Sequence, residues 1–173
     1  MRIAQVAPLY ERVPPQLYGG TERVVAYLTD ALVDLGHHVT LFASRDSRTK
    51  AELVPAWSGA LRLAGDCCDV LAPHVLMLEH LAQRAPGYDV IHFHLAEIHF
   101  PLMRRLRVAH VTTMHGRLDM PELRPLFAEF NDVPVVSISN AQRKPLPEAR
   151  WIGTVYHGLP PDLLHRASGS GSR

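Results

Sequence analysis

The first 44 residues run strand, glycine loop, helix, strand, and that succession limits the fold more than any other feature. Ile3 to Ala7 is a compact apolar run ended by Pro8, the pattern of a strand buried on both faces. A loop with Pro14, Pro15, Gly19 and Gly20 follows. Val24, Val25, Leu28, Ala31, Leu32 and Leu35 then recur at helical spacing and predict one apolar stripe, with Glu22, Arg23, Asp30 and Asp34 outside it. Gly36 supplies a C-terminal stop, and "HHVTLFAS" reads as a second strand. This βαβ unit implies parallel pairing and a right-handed crossover.

The alternation continues along the chain. "ELVPAW" and "ALRLA" each fit a short strand or a turn, and residues 69 to 84 fit a helix with Pro73 near its first turn. "DVIHFH", "AHVTTMH", "VPVVSIS" and "WIGTVYH" read as further strands. Between them lie helical stretches around "HFPLMRRL", "MPELRPLFAEF" and a short piece from Asn140. The expectation is an α/β fold, a Rossmann-like doubly wound and mostly parallel sheet with helices on both faces. It occupies residues 1–166, and "ASGSGSR" at 167–173 reads as a flexible linker or tag remnant.

Composition narrows the function. Lys and Arg total 18 against 17 Asp and Glu, a formal net charge of +1, so no basic field argues for nucleic acid. The two cysteines, Cys67 and Cys68, are adjacent and poorly placed to close a loop, which fits a reducing compartment. No apolar run reaches the length of a membrane span, and "MRIAQVAPLY" resembles a first strand rather than a leader. A cytoplasmic location is expected.

In doubly wound sheets, ligands bind beyond the carboxyl ends of the strands, where strand order reverses. The residues to watch are therefore Tyr18-Gly19-Gly20-Thr21 after the first strand, then His94, His115-Gly116-Arg117, Ser139-Asn140 and His157-Gly158. Gly20 would let a ligand approach the backbone, and the following helix offers N–H groups to a phosphate. A plain turn is the alternative, and Glu22 would compete for the same donors. His115 ends a buried strand before a glycine and is the candidate for chemistry. Ser139-Asn140 reads first as a helix N-cap. His92 and His94 share one strand face, so a zinc site completed by His115 or Asp119 is a further alternative. No His-Glu-x-x-His or Cys-x-x-Cys accompanies them, and no metal is expected.

"YGGTERVVAYLTDALVDLGHHVTLFAS", "YDVIHFH", "HVTTMHGRL", "VPVVSISNAQR" and "TVYHGLP", in this order, resemble the N-terminal domain of family 4 glycosyltransferases, retaining enzymes of the GT-B architecture. The resemblance implies that Gly19 and Gly20 lie near the donor diphosphate, with Thr21 beside them. His94 falls on the acceptor side, and His115 with Gly116 lies close to the transferred sugar, with Arg117 and Ser139 lining the same cleft. His157 stands where the family usually has asparagine. The resemblance also implies a second, C-terminal donor-binding domain with a basic pair and a Glu-x7-Glu element, none of which is present here. The expected function is thus half of a transferase, inactive or weakly active alone, binding no cofactor by itself and using a nucleotide-sugar donor when complete. Its expected partners are that missing domain and a small-molecule or glycan acceptor, with self-association through the exposed interdomain face. A stand-alone module for a small phosphorylated ligand and a histidine-based metal-dependent hydrolase are the alternatives.

Overall fold

The computed structural model describes residues 1–65, 69–160 and 163. Its seven strands are β1 (Arg2–Val6), β2 (His38–Ser44), β3 (Glu52–Trp57), β4 (Val90–Phe93), β5 (His110–Met114), β6 (Val135–Ser137) and β7 (Trp151–Thr154). They form one sheet in the order β3-β2-β1-β4-β5-β6-β7, and every pairing is parallel. The connections carry helices α1 (Gly20–Asp34), α2 (Leu71–Arg84), α3 (Phe100–Leu106) and α4 (Leu123–Glu129). "ELVPAW" is therefore a strand, and as β3 it lies at the sheet edge, where Pro55 is tolerated. "ALRLA" and the segment after Asn140 each tighten into a 3-10 turn, at Leu61–Leu63 and Ala141–Arg143. Cys67, Cys68 and the 167–173 tail lie outside the described residues.

Strand alternation sends successive side chains to opposite faces, and the two faces are covered by different helices. Ala4, Val6, Phe42, Ile91 and Phe93 pack against Met77, Leu78 and Leu81 of α2 and Met103 of α3. Further along that face, Phe100 and Met114 meet Leu123 and Phe127 of α4. On the other face, Val25 and Ala26 of α1 close over Ala7, Leu41 and Ala43. Gln5 belongs to this second face, with Leu41 on one neighbouring strand and His92 on the other.

One expectation fails in α1. Its fully buried residues are Glu22, Val25, Ala26 and Thr29, whereas Ala31 and Leu35 of the expected stripe are exposed. The helix turns Val25, Ala26 and Thr29 inward, and Leu28 and Leu32 flank the contact half-buried. Glu22 can join the buried face because its carboxylate accepts hydrogen bonds from its own backbone N–H and that of Glu11, and Arg62 is nearby. The C-terminus behaves as read: Gly36 takes a φ of 84°, and the N–H of His37 returns to the Leu32 carbonyl at 3.1 Å.

The two glycines at the start of α1, Gly19 as its N-cap and Gly20 as its first residue, have different work. A Cβ on Gly19 would lie 2.7 Å from Pro15 Cβ and 3.0 Å from a Glu22 carboxylate oxygen, whereas one on Gly20 would meet nothing within 4 Å. Gly19 is thus required by packing, and Gly20 borders open space. Gly19→Ala is expected to cost about 1–3 kcal/mol through overpacking, while Gly20→Ala should stay within about 0.5 kcal/mol. Urea unfolding of the two variants checks this, and equal losses would contradict it.

Candidate functional site

Strand order reverses between β1 and β4, because the chain builds outward through β2 and β3 and then returns to the other side of β1. Beyond the carboxyl ends of these strands opens a cleft of about 540 Å³. Gly19, Gly20, Thr21, His94, His115, Gly116 and Arg117 all line it, together with His157. The structure therefore brings the expected residues together, with one exception. Ser139 borders a shallower depression beside His115 and Arg117, and its Oγ accepts the backbone N–H of Gln142 at 3.2 Å, the N-cap role.

The β1–α1 loop forms one wall and is pinned from three directions. The N–H groups of Leu61 and Arg62 donate to the carbonyls of Leu9 and Tyr10, both at 2.9 Å. Val13 N–H donates to Ser47 Oγ at 2.9 Å. Leu9 N–H donates to His74 Nε2 at 3.1 Å, while the opposite ring nitrogen of His74 donates to the Val70 carbonyl at 2.6 Å. Arg62 lies 3.2 Å from Glu11, which is 2% exposed, and also donates to the Tyr18 carbonyl. The opposite wall is fastened by Gln142, whose Nε2 donates to the carbonyls of Met114 and Gly116 at 3.0 and 2.7 Å. Its Oε1 accepts the Ile138 N–H at 2.9 Å, so one amide ties the end of β5 to the loop after β6.

The floor is a connected line of imidazoles. His94 Nε2 is 2.7 Å from Gln5 Oε1, and His94 Nδ1 is 2.9 Å from His115 Nε2. His92 Nε2 is 2.8 Å from Thr113 Oγ1. The rings of His115 and the exposed His157 lie 5.2 Å apart. Burial withholds the charged form from these rings. His92 is pushed down to about 4 by burial, and His115 to about 3 by burial with His157 and His92 adding to it. Burial, reinforced by the same neighbours, also holds His94 well below the ordinary value.

The imidazoles of the floor are thus uncharged at neutral pH. The cations lining the cleft are already engaged: Arg62 with Glu11, and Arg117 with Asp119 at 2.7 Å. Glu22 takes its own N–H at the start of α1, which reduces what that helix end offers an anion. This side of the cleft suits a neutral, hydrogen-bonding ligand better than a diphosphate. A metal reading fits poorly, since His94 and His115 face one another as a hydrogen-bonded pair and Asp119 is occupied by Arg117. Among the described residues no group of three or more His, Cys, Asp or Glu is placed to hold a metal ion.

Sequence reasoning missed Gln5, Glu11, Arg62 and Gln142 as parts of this site. A polar residue inside a doubly buried strand is a visible signal for Gln5. Arg62 and Gln142 reach their partners across long stretches of chain and leave no local signature.

Unfolded imidazoles take up protons near pH 6.5, whereas folded His92 and His115 resist to about 4 and 3. From pH 6.5 down to about 4 the unfolded chain therefore binds more protons, and stability falls with pH; above pH 7.5 or so these groups leave it flat. Urea midpoints at about pH 7.5 and 5 should show this fall, and a His92→Gln, His115→Gln double variant should show less of it. An equal fall in the variant would contradict the assignment.

The glycosyltransferase family 4 model matches residues 18–159. Among solved structures, the chain is similar to a glycosyltransferase from Rickettsia africae ESF-5, with 19% identity and a TM-score of 0.53 over 86% of this chain and 39% of that one. It is also similar to a sucrose-phosphate synthase from Thermosynechococcus elongatus, with 14% identity and a TM-score of 0.62 over 90% of this chain and 47% of that one. The chain thus spans less than half the length of these structures, which share its fold. A search of curated proteins gives no match. Among the described residues no helix is long and apolar enough to cross a membrane. The family match covers most of the chain and the cleft residues from Tyr18 to His157: the chain belongs to glycosyltransferase family 4.

Proposed function

We propose that the chain is the N-terminal, acceptor-side half of a retaining glycosyltransferase that moves a sugar from a nucleotide-sugar donor to a small-molecule or glycan acceptor. The observation that carries this reading is the uncharged His94–His115 floor at the switch point of a family 4 fold, beside the glycines at the start of α1. An uncharged floor suits a ligand rich in hydroxyls rather than in charge. A donor diphosphate needs cations or free helix N–H groups, and the cations on this side are tied to carboxylates. The phosphates are accordingly held mainly by a second domain, which would also exclude water from the cleft. His115, at the end of β5, is the residue closest to the reacting sugar in this reading.

The cleft rim supports a partner domain. Leu17, Tyr18, Val155, Tyr156 and Leu159 are between 56% and 79% exposed, all on the loop before α1 or the segment after β7. In the absence of a partner such apolar surface would promote self-association, and sedimentation at high concentration should detect dimers. A strict monomer would count against an interdomain role for this rim.

A stand-alone module for a phosphorylated ligand rests on the open space beside Gly20. The engaged arginines and the Glu22 carboxylate argue against it.

The transferase reading is tested by supplying a C-terminal domain from a two-domain family member, in trans or by fusion, and measuring nucleotide release from nucleotide-sugars. The chain alone should turn over negligibly, the combination measurably, and His115→Ala should lower the restored rate by about 100-fold or more. Efficient turnover by the chain alone, or restored turnover indifferent to His115→Ala, would overturn it.

A further inference from the structure

Neutral imidazole carries one N–H and one lone pair, so a line of imidazoles can run its hydrogen bonds in either of two directions. In Gln5–His94–His115 the protons point either toward Gln5 or away from it. The amide of Gln5 can end the line in either sense, by its oxygen or its nitrogen, and both its ends are engaged. Its oxygen lies 2.7 Å from His94 Nε2, and its nitrogen lies 3.5 Å from His92 Nδ1.

Each assignment then dictates the next. An oxygen facing His94 places that ring's proton on Nε2 and leaves Nδ1 as an acceptor. His115 Nε2, 2.9 Å away, must therefore carry the proton of its own ring. The amide nitrogen donates to His92 Nδ1, which puts the His92 proton on Nε2, where it meets Thr113 Oγ1 at 2.8 Å. What remains is His115 Nδ1, a buried atom without a partner. In this direction it is a lone pair. In the opposite direction it would be a buried, unpaired N–H, which folded proteins avoid more strictly than an unpaired acceptor. The orphan atom thus decides the direction, and the amide oxygen at the other end accepts it.

We propose that Gln5 is a positioning residue: by presenting its amide oxygen to His94 it holds His115 as the Nε2–H tautomer, with the buried Nδ1 left as a lone pair rather than an unpaired N–H. The assignment does not depend on the sugar-handling reading of the cleft.

The test is long-range nitrogen–proton correlation NMR of the histidine rings in the nitrogen-15-labelled chain between about pH 5.5 and 8. The wild-type chain should give a protonated Nε2 and an unprotonated, far-downfield Nδ1 for both His94 and His115. Gln5→Met, similar in volume and without the amide, should lose this single pattern, with a share of Nδ1–H appearing on His115. A purely structural role for Gln5 would lower stability but leave the ring protons where they were. A wild-type His115 protonated on Nδ1, or mixed between the two, overturns the proposal even if the variant does not fold. An unchanged pattern in folded Gln5→Met overturns it as well. Failure of a C-terminal domain to restore transfer would sink the transferase reading and leave these resonances unmoved, so the two failures can be told apart.

Discussion

The contact between the Gln5 amide and His94 lies where β1 and β4 sit side by side and the order of the sheet reverses. A doubly wound sheet must leave a crevice at that point, since the connections on either side depart in opposite directions. Most of the chain's core is apolar, but here the sheet carries Gln5, His92, His94 and Thr113 on one face. These groups are tolerable inside only because they satisfy one another. Because the same burial keeps the rings neutral, the imidazoles bring no charge to the floor of the cleft.

The two walls follow from how the loops are tied to that floor. The long β1–α1 loop would be free to move if it were only a connection. It is fixed instead by Leu61, Arg62, Ser47 and His74 from later parts of the chain. Gln142 does the same for the loop after β5. These ties place Gly20 on one side and Gly116 on the other with open space beside both. They also engage Arg62, which lines the cleft, with Glu11.

Much of this was legible in the sequence. The order of strands and helices follows from apolar runs and glycine stops, and the rule that ligands gather at strand carboxyl ends picked out Gly19, Gly20, His94, His115 and Gly116 correctly as neighbours. The α1 stripe was misread because periodicity counts apolar residues and cannot know that Glu22 will be buried beside Arg62 and the Glu11 backbone. Gln5 and His94 are 89 residues apart, and Gln142 and Met114 are 28 apart. Such pairings are properties of the folded sheet rather than of any local pattern. Ser139 shows the reverse case, where the local reading as an N-cap was the better guide.

The account stands on the neutrality of the buried imidazoles, and that is directly measurable by following the ring carbon shifts of each histidine through a pH titration of the folded chain. His92, His94 and His115 should keep their neutral shifts from about pH 8 down to about 5. Titration of His94 and His115 near the unperturbed value of about 6.5 would mean a charged wall at the cleft, and would contradict the account.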